Sequence, residues 1–212
     1  MADAPQQRYE IATCVATMFY TLKGIPFIYQ GQEFGMISPY YDSIDDFDDI
    51  ESKYFYAEFC ETMSPEEAIA KINFGSRDNT RHPMCWDDSK FGGFSTVEPW
   101  IKPHSMVKEL NLKNDLASDK SVFRFYQKLL KLRAAEDPLT LGSVEFLSKE
   151  SDNFFIILRE YEGEKIVIIC NFEETLDIQT SFERGELLIS NYNKRTAMNG
   201  MYKPFEIALY KV

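Results

Sequence analysis

Residues 6–36 of the chain hold a pattern that few folds accommodate. Ile11, Val15, Met18, Phe19 and Leu22 recur at helical spacing, which predicts a helix over 6–22. Gly24 follows as its stop. Residues 25–29 then run Ile-Pro-Phe-Ile-Tyr, apolar with no polar alternation. Such a run suits a short strand buried on both faces, as in a parallel sheet. Gly31, Glu33 and Gly35 come directly after it. Helix, short turn and buried strand form the repeating unit of an α/β barrel.

The rest of the chain divides in two. Residues 37–75 lack strand character and carry a helical stretch near 53–62. Ser64-Pro65-Glu66-Glu67 opens another helix, with Ser64 at the N-cap, Pro65 at the first helical position and acids in the first turn. Residues 76–117, with Gly92-Gly93 and several prolines, read as loop. The clearest helix spans 119–136, where Val122, Phe125, Tyr126, Leu129 and Leu132 make one apolar face. Asp137-Pro138 ends it. After Gly142 the pattern changes to strands, expected at 144–148, 154–160, 165–172, 176–181, 185–190 and 204–211. Glu162-Gly163 supplies a hairpin turn between the second and third. Six short strands at this spacing predict an antiparallel sandwich. A domain boundary is expected between Pro138 and Gly142, separating 1–138 from 142–212. No internal repeat interrupts this plan.

Composition narrows the partners. The net charge is −11, so nucleic acid and anionic membrane, which need a basic surface, are poor candidates. Part of that charge clusters at Asp42, Asp45, Asp46, Asp48, Asp49 and Glu51, a run whose plainest reading is a solvated acidic surface. The chain has four cysteines, far apart and without a Cys-x-x-Cys, and two histidines, His82 and His104. That inventory argues against a zinc site, and no metal or cofactor is expected. Cys14 and Cys170 sit in apolar runs and read as small buried hydrophobes. No leader opens the chain, and no apolar run reaches the ~20 residues that span a bilayer. The expected location is the cytoplasm, or a compartment reached by a signal outside these residues.

Several spaced motifs carry a family resemblance. They are Gly24-x-Pro26-x-x-Tyr29-x-Gly31-x-Glu33 with Gly35-Met36, then Asp49-Ile50-Glu51-Ser52, Arg77-Asp78-Asn79, Pro83-Met84-x-Trp86-Asp87, Gly93-Phe94-Ser95-Thr96 and Pro99-Trp100. In this order they resemble the C-terminal portion of α-glucosidases of the α-amylase superfamily (glycoside hydrolase family 13). The similar group comprises oligo-1,6-glucosidases, dextran glucosidases, trehalose-6-phosphate hydrolases and sucrose isomerases. The resemblance runs from residue 8 onward; Met1-Ala2-Asp3-Ala4 does not align. Gln32, His82 and Cys85 depart from the residues usual at their positions.

The resemblance implies a fold: the last strand, active-site loops and last helices of a (β/α)8 barrel over 1–138, followed by a β-sandwich over 142–212. It implies a retaining mechanism through a covalent glucosyl intermediate, acting on short α-glucosidic oligosaccharides. It also implies an absence. The family's nucleophilic Asp, acid/base Glu and stabilising Asp belong to segments preceding the matched region, and no Asn-His-Asp or Gly-Phe-Arg-x-Asp occurs here. A retaining glycosidase needs two carboxyl groups ~5–5.5 Å apart, so this chain is expected to be inactive alone and to need the N-terminal barrel portion as partner. No catalytic residue is assigned to it.

Three residues remain for sugar binding. Arg77 matches the arginine that grips the terminal glucose; its alternative is an ion pair with Asp78 or a nearby acid. Glu51 matches the residue that reaches the neighbouring sugar; its alternative is one more surface acid. Glu33, at the end of the expected eighth strand, faces the catalytic mouth as a ligand or braces Tyr29. Trp86 and Trp100 are expected to pack between loop and barrel, and Arg81 and Asp87 to be loop scaffolding. The competing reading is a catalytically inactive carbohydrate-binding or scaffold module.

Overall fold

A computed structural model describes residues 6–172, 174–193 and 195–212; Met1–Ala4 lie outside them. The chain forms two compact units, Tyr29–Lys120 and Gln7–Ile28 with Ser121–Val212. The terminal residues grouped with the first unit are not described beyond Gln6. The second unit joins segments far apart in sequence. The reason is that the helix Arg8–Tyr20 (α1) buries its apolar side with the sheet and the helix Val122–Ala135, in a core holding Cys14, Tyr20, Phe125, Leu129, Ile157, Ile168 and Leu209.

Within the first unit, three short 3₁₀ turns accompany helices α2 (Ile50–Phe59), α3 (Pro65–Gly75) and α4 (Leu112–Ala117). The capping expected for α3 forms in full. Ser64 Oγ accepts the Glu67 N–H at 3.2 Å and Glu67 Oε2 accepts the Ser64 N–H at 3.0 Å. A small core of Tyr41, Phe47, Ile69 and Ile72 joins α3 to the preceding loop. Asn73 locks that join, accepting the Tyr41 N–H at 2.8 Å and donating to the Tyr41 carbonyl at 2.7 Å. Of the stretch 76–117 read as loop, 81–111 is loop, but its ends are not: the 3₁₀ turn Arg77–Thr80 and α4, capped by Asn111, occupy them.

The strand expected at 25–29 does not form. These residues enter no ladder, and Ile25 and Phe27 are 81% and 83% exposed. A strand is defined by its neighbours, and no described segment pairs with this one. Glu33 therefore ends no strand; it lies in the 3₁₀ turn Gln32–Phe34. Gly31 and Gly35 bracket that turn at φ +88° and +68°. A Cβ on Gly31 would sit 2.7 Å from Met36 Sδ, so both backbone conformation and space require glycine there.

In the second unit, α5 (Val122–Ala135) is followed at once by the short helix α6 (Asp137–Thr140), where the sequence indicated only a stop. Seven strands follow among the described residues: β1 (Ser143–Phe146), β2 (Phe154–Tyr161), β3 (Glu164–Asn171), β4 (Leu176–Ile178), β5 (Glu186–Ser190), β6 (Gly200–Tyr202) and β7 (Ile207–Lys211). The single strand expected at 204–211 is thus β7 alone, shortened because Phe205 turns the chain at φ +56°. A five-stranded antiparallel sheet has the order β1-β2-β3-β7-β5, and β4 pairs with β6 in a second, two-stranded sheet. The β2–β3 hairpin closes through Glu162 and Gly163, both at positive φ, in the geometry that matches strand twist.

Alternation explains why β3 is almost wholly apolar. Ile166, Ile168 and Cys170 face the helices, while Val167 and Ile169 face the side of Ile178, Met198 and Tyr202. Both faces of the central strand are covered, so neither needs polar residues. Two buried arginines secure the end of α1. Arg133 donates to the carbonyls of Tyr20, Leu22, Leu139 and Gly24 at 2.6–3.0 Å. Arg159, 0% exposed, donates to those of Ser143 (2.9 Å), Gly142 (3.1 Å) and Thr21. They satisfy carbonyls that a helix end leaves unpaired. No helix among the described residues is long and apolar enough to cross a membrane.

Candidate functional site

Asp49 precedes α2, and Arg77 opens the 3₁₀ turn Arg77–Thr80 that follows α3. Asp78 ties the two segments together, its Oδ2 accepting the N–H groups of Asp48 at 2.8 Å and Asp49 at 2.9 Å. Ser52 donates to Asp49 Oδ2 at 3.0 Å and lies 2.8 Å from Ser76 Oγ. On this frame Arg77 donates through Nε (3.0 Å) and Nη2 (2.5 Å) to Asp49 Oδ1. Glu51 Oε2 lies 3.5 Å from the same Nη2. Arg81 Nη1 adds contacts of 3.6 Å to Asp49 and 3.4 Å to Asp78.

The cluster is polarised by depth. The Asp49 side chain is 3% exposed, Arg77 50% and Glu51 62%. The Arg77 hydrogen bonds hold the Asp49 carboxyl below its usual range against the opposing effect of burial. Asp49 is therefore no member of a solvated acidic surface. It was hidden in the acidic run, and its position just before the helical motif was the available signal. Of the two readings the sequence left open for Arg77, the structure shows the ion pair with a nearby acid, Asp49 rather than Asp78, while its Nη1 stays without a partner among the described residues. Asp49, Glu51 and Arg77 border a cleft of about 250 Å³ whose other walls include Phe55, Phe59, Lys71 and Ile72. Two half-exposed ions of opposite sign, at the mouth of an aromatic-lined cleft, can bind a neutral ligand rich in hydroxyls.

Glu33 does not join them. It lies away from the cleft lining, and its Oε2 is buried without a partner among the described residues. The brace with Tyr29 does not form, because the Tyr29 hydroxyl donates to the Thr80 carbonyl at 2.5 Å instead. A smaller cavity of about 110 Å³ lies beside Tyr29, Asn79, Thr80 and His82. His82 and His104 are buried with ring centroids 6.1 Å apart. Burial, reinforced by His104, pushes the His82 pKa down to about 4. Trp86 and Trp100 are 48% and 68% exposed rather than packed. Asp87 is scaffold as expected: its Oδ1 accepts the Ser89 N–H at 2.9 Å within the 87–93 turn. Among the described residues no group of three His, Cys, Asp or Glu is placed to hold a metal.

The α-amylase catalytic-domain model matches residues 1–142. The chain belongs to the α-amylase family. It is 36% identical to an oligo-1,6-glucosidase of Halalkalibacterium halodurans over 99% of its length and 38% of that protein's. It is 34% identical to a trehalose-6-phosphate hydrolase of Bacillus subtilis, with 99% and 39% covered. Among solved structures it is similar to a trehalose-6-phosphate hydrolase of Bacillus licheniformis, with a TM-score of 0.91, 30% identity, and 99% of this chain and 40% of that one covered. It is also similar to a trehalulose synthase from Pseudomonas mesoacidophila, with a TM-score of 0.89, 32% identity, and 99% and 39% covered. This member of the family thus spans about two fifths of the length of these relatives.

Proposed function

We propose that this chain is the C-terminal portion of a retaining α-glucosidase that hydrolyses short α-glucosidic oligosaccharides, and that it contributes sugar binding rather than the reacting carboxylates. The observation that carries this reading is Arg77, anchored from below by buried Asp49 and bordering the cleft beside Glu51. Arg77 holds the terminal glucose and Glu51 the adjoining sugar; Glu33, away from that cleft, is left with the binding role that the resemblance alone gives it. Residues 1–138 are the last part of the catalytic barrel and 142–212 the sandwich domain; the family match ending at residue 142 supports that division. The partner is a polypeptide supplying the preceding barrel strands, and the working location is the cytoplasm.

A second reading, an inactive carbohydrate-binding or scaffold module, draws on the lack of the family's catalytic segments in these residues. One experiment separates the two from an unrelated function. Isomaltose is titrated into the full chain and its Arg77→Ala variant by calorimetry, with p-nitrophenyl α-glucoside turnover assayed in parallel. Binding lost in the variant, with no turnover, is the expected result. Binding indifferent to Arg77 overturns the site. In an enzyme containing all barrel strands, Arg77→Ala lowers catalytic efficiency by roughly ten- to a hundredfold, because no other residue supplies its rigid fork of donors. Asp87→Ala does less there, and Glu51→Gln shifts preference among disaccharides more than cleavage of the aryl glucoside.

A further inference from the structure

The larger of the described cavities lies in the second unit. It measures about 370 Å³ and is lined by residues of the 192–206 segment, Tyr192, Asn193, Arg195, Thr196, Met201 and Lys203 among them. Its floor is an ion pair between Arg195 Nε and Glu206 Oε1, with side chains 8% and 4% exposed. The guanidinium stacks 3.6 Å from the Tyr202 ring centroid. Nη1 donates to the Ala197 carbonyl at 2.8 Å, and Nη2 donates to that of Met201. Three of the five N–H donors of an arginine are thereby used and the Tyr210 hydroxyl engages the guanidinium as well, which leaves one donor. Glu206 Oε2 is engaged by the Lys203 N–H at 2.8 Å.

We propose that this cavity is a second, non-catalytic binding site for a neutral mono- or disaccharide unit. The volume sits at the small end of the roughly 300–1,000 Å³ usual for small-molecule sites. The buried guanidinium keeps one donor, while Glu206 cancels its charge, so the floor calls for an uncharged oxygen acceptor. An anion meets that carboxylate at close range and a chain of net charge −11 at long range. The exposed Asn193 and Thr196 side chains can both donate and accept. Met201, 60% exposed, and the Tyr192 ring present apolar surface beside them. A ligand with hydroxyls on its edge and C–H groups on its face matches this mixture; a flat apolar molecule leaves the polar wall unsatisfied. Lys203 Nζ, 5.2 Å from the Tyr192 ring centroid, lies over that ring and swings aside on a flexible stem when the ligand docks. The site is built by other residues than the Arg77 cleft and does not rest on the reading of that cleft.

The test is amide chemical-shift mapping on the full chain, titrated separately with isomaltotriose and inorganic phosphate. Isomaltotriose is expected to shift the amides of Asn193, Thr196, Ala197 and Met201 saturably, and phosphate to leave them in place. The double variant Asn193→Ala, Thr196→Val changes only exposed side chains and is expected to weaken that binding about tenfold. Arg77→Ala is expected to leave these shifts unchanged while removing any around residues 49–77, so the two sites succeed or fail separately. Absence of saccharide shifts at 193–201, an equal response to phosphate, or full affinity in the double variant each overturns the proposal.

Discussion

Arg159 and Arg77 are both held by oxygen atoms, and the manner of holding separates the two units. Arg159 is wholly buried and spends its donors on three backbone carbonyls. Burial, with the Arg133 charge nearby, pulls its pKa down to about 10. Arg77 is gripped on one side by a single carboxylate oxygen and stays half exposed. The first arrangement uses charge to close a fold. The second fixes the direction of a cation and leaves its outer edge open to solvent. The same contrast runs through the cores. The second unit covers both faces of β3 with apolar side chains, whereas the first joins short helices through Asn73, Asp78 and Asp49 around a much smaller cluster.

Replacing Arg159 by Ala strands three carbonyls and should cost about 4 kcal/mol of the second unit's stability, at roughly 1–2 kcal/mol for each unsatisfied group. Urea unfolding followed by tryptophan-independent far-UV dichroism checks it. A loss below 1 kcal/mol would dissolve the contrast, since the buried arginine would then be no more structural than a surface one.

Acid should strike the first unit. The unfolded chain takes up a proton at an ordinary histidine pKa near 6.5, while folded His82 resists until about 4. Stability from His82 is full above 6.5, falls as pH drops from 6.5 to 4, and is flat below, a loss of about 3 kcal/mol. Burial lowers His104 as well and adds in the same direction. Among the described residues, His104 is the titratable neighbour that acts on His82. Hydrogen exchange across this range should show amides of 79–111 opening before those of β3, and His82→Thr should reduce the difference to the part that His104 contributes.

Asp49→Asn should have a smaller, local effect. The Arg77 side chain loses its anchor, and amide protection at the start of α2 falls by about tenfold while β2 and β3 keep theirs. Equal loss in both units would show that they do not respond independently. The least effect belongs to Glu164→Gln. The pair of Glu164 with Lys211, 3.3 Å apart at the surface, is of the exposed kind that contributes little, and the unfolding midpoint should not move measurably.

Sequence made the second unit more legible than the first, for the same physical reason. Strands β2 and β3 and helix α5 announce themselves because apolar periodicity reports burial directly, and the Glu162-Gly163 turn because two positive φ values favour few residues. Arg133 and Arg159 were invisible, since carbonyl partners leave no mark in a residue pattern. In the first unit the motifs singled out Arg77 and Glu51, which the structure brings to one cleft, while the buried acid beneath them was misread: a buried Asp49 and a solvated Asp48 look alike in a charge run. Residues 25–29 failed differently. Their composition states a preference for a sheet, and a preference needs a neighbour to become a strand.

That exposed stretch has a consequence for handling the protein in solution. Ile25, Phe27 and Ile28 form an exposed apolar tract of the kind that can recruit a second molecule edge to edge and seed aggregates. Pro26 interrupts it, having no N–H to offer an incoming chain. A single imino acid thus acts as a gatekeeper of colloidal behaviour, and exchanging it for valine would turn a tolerated tract into a template for self-assembly.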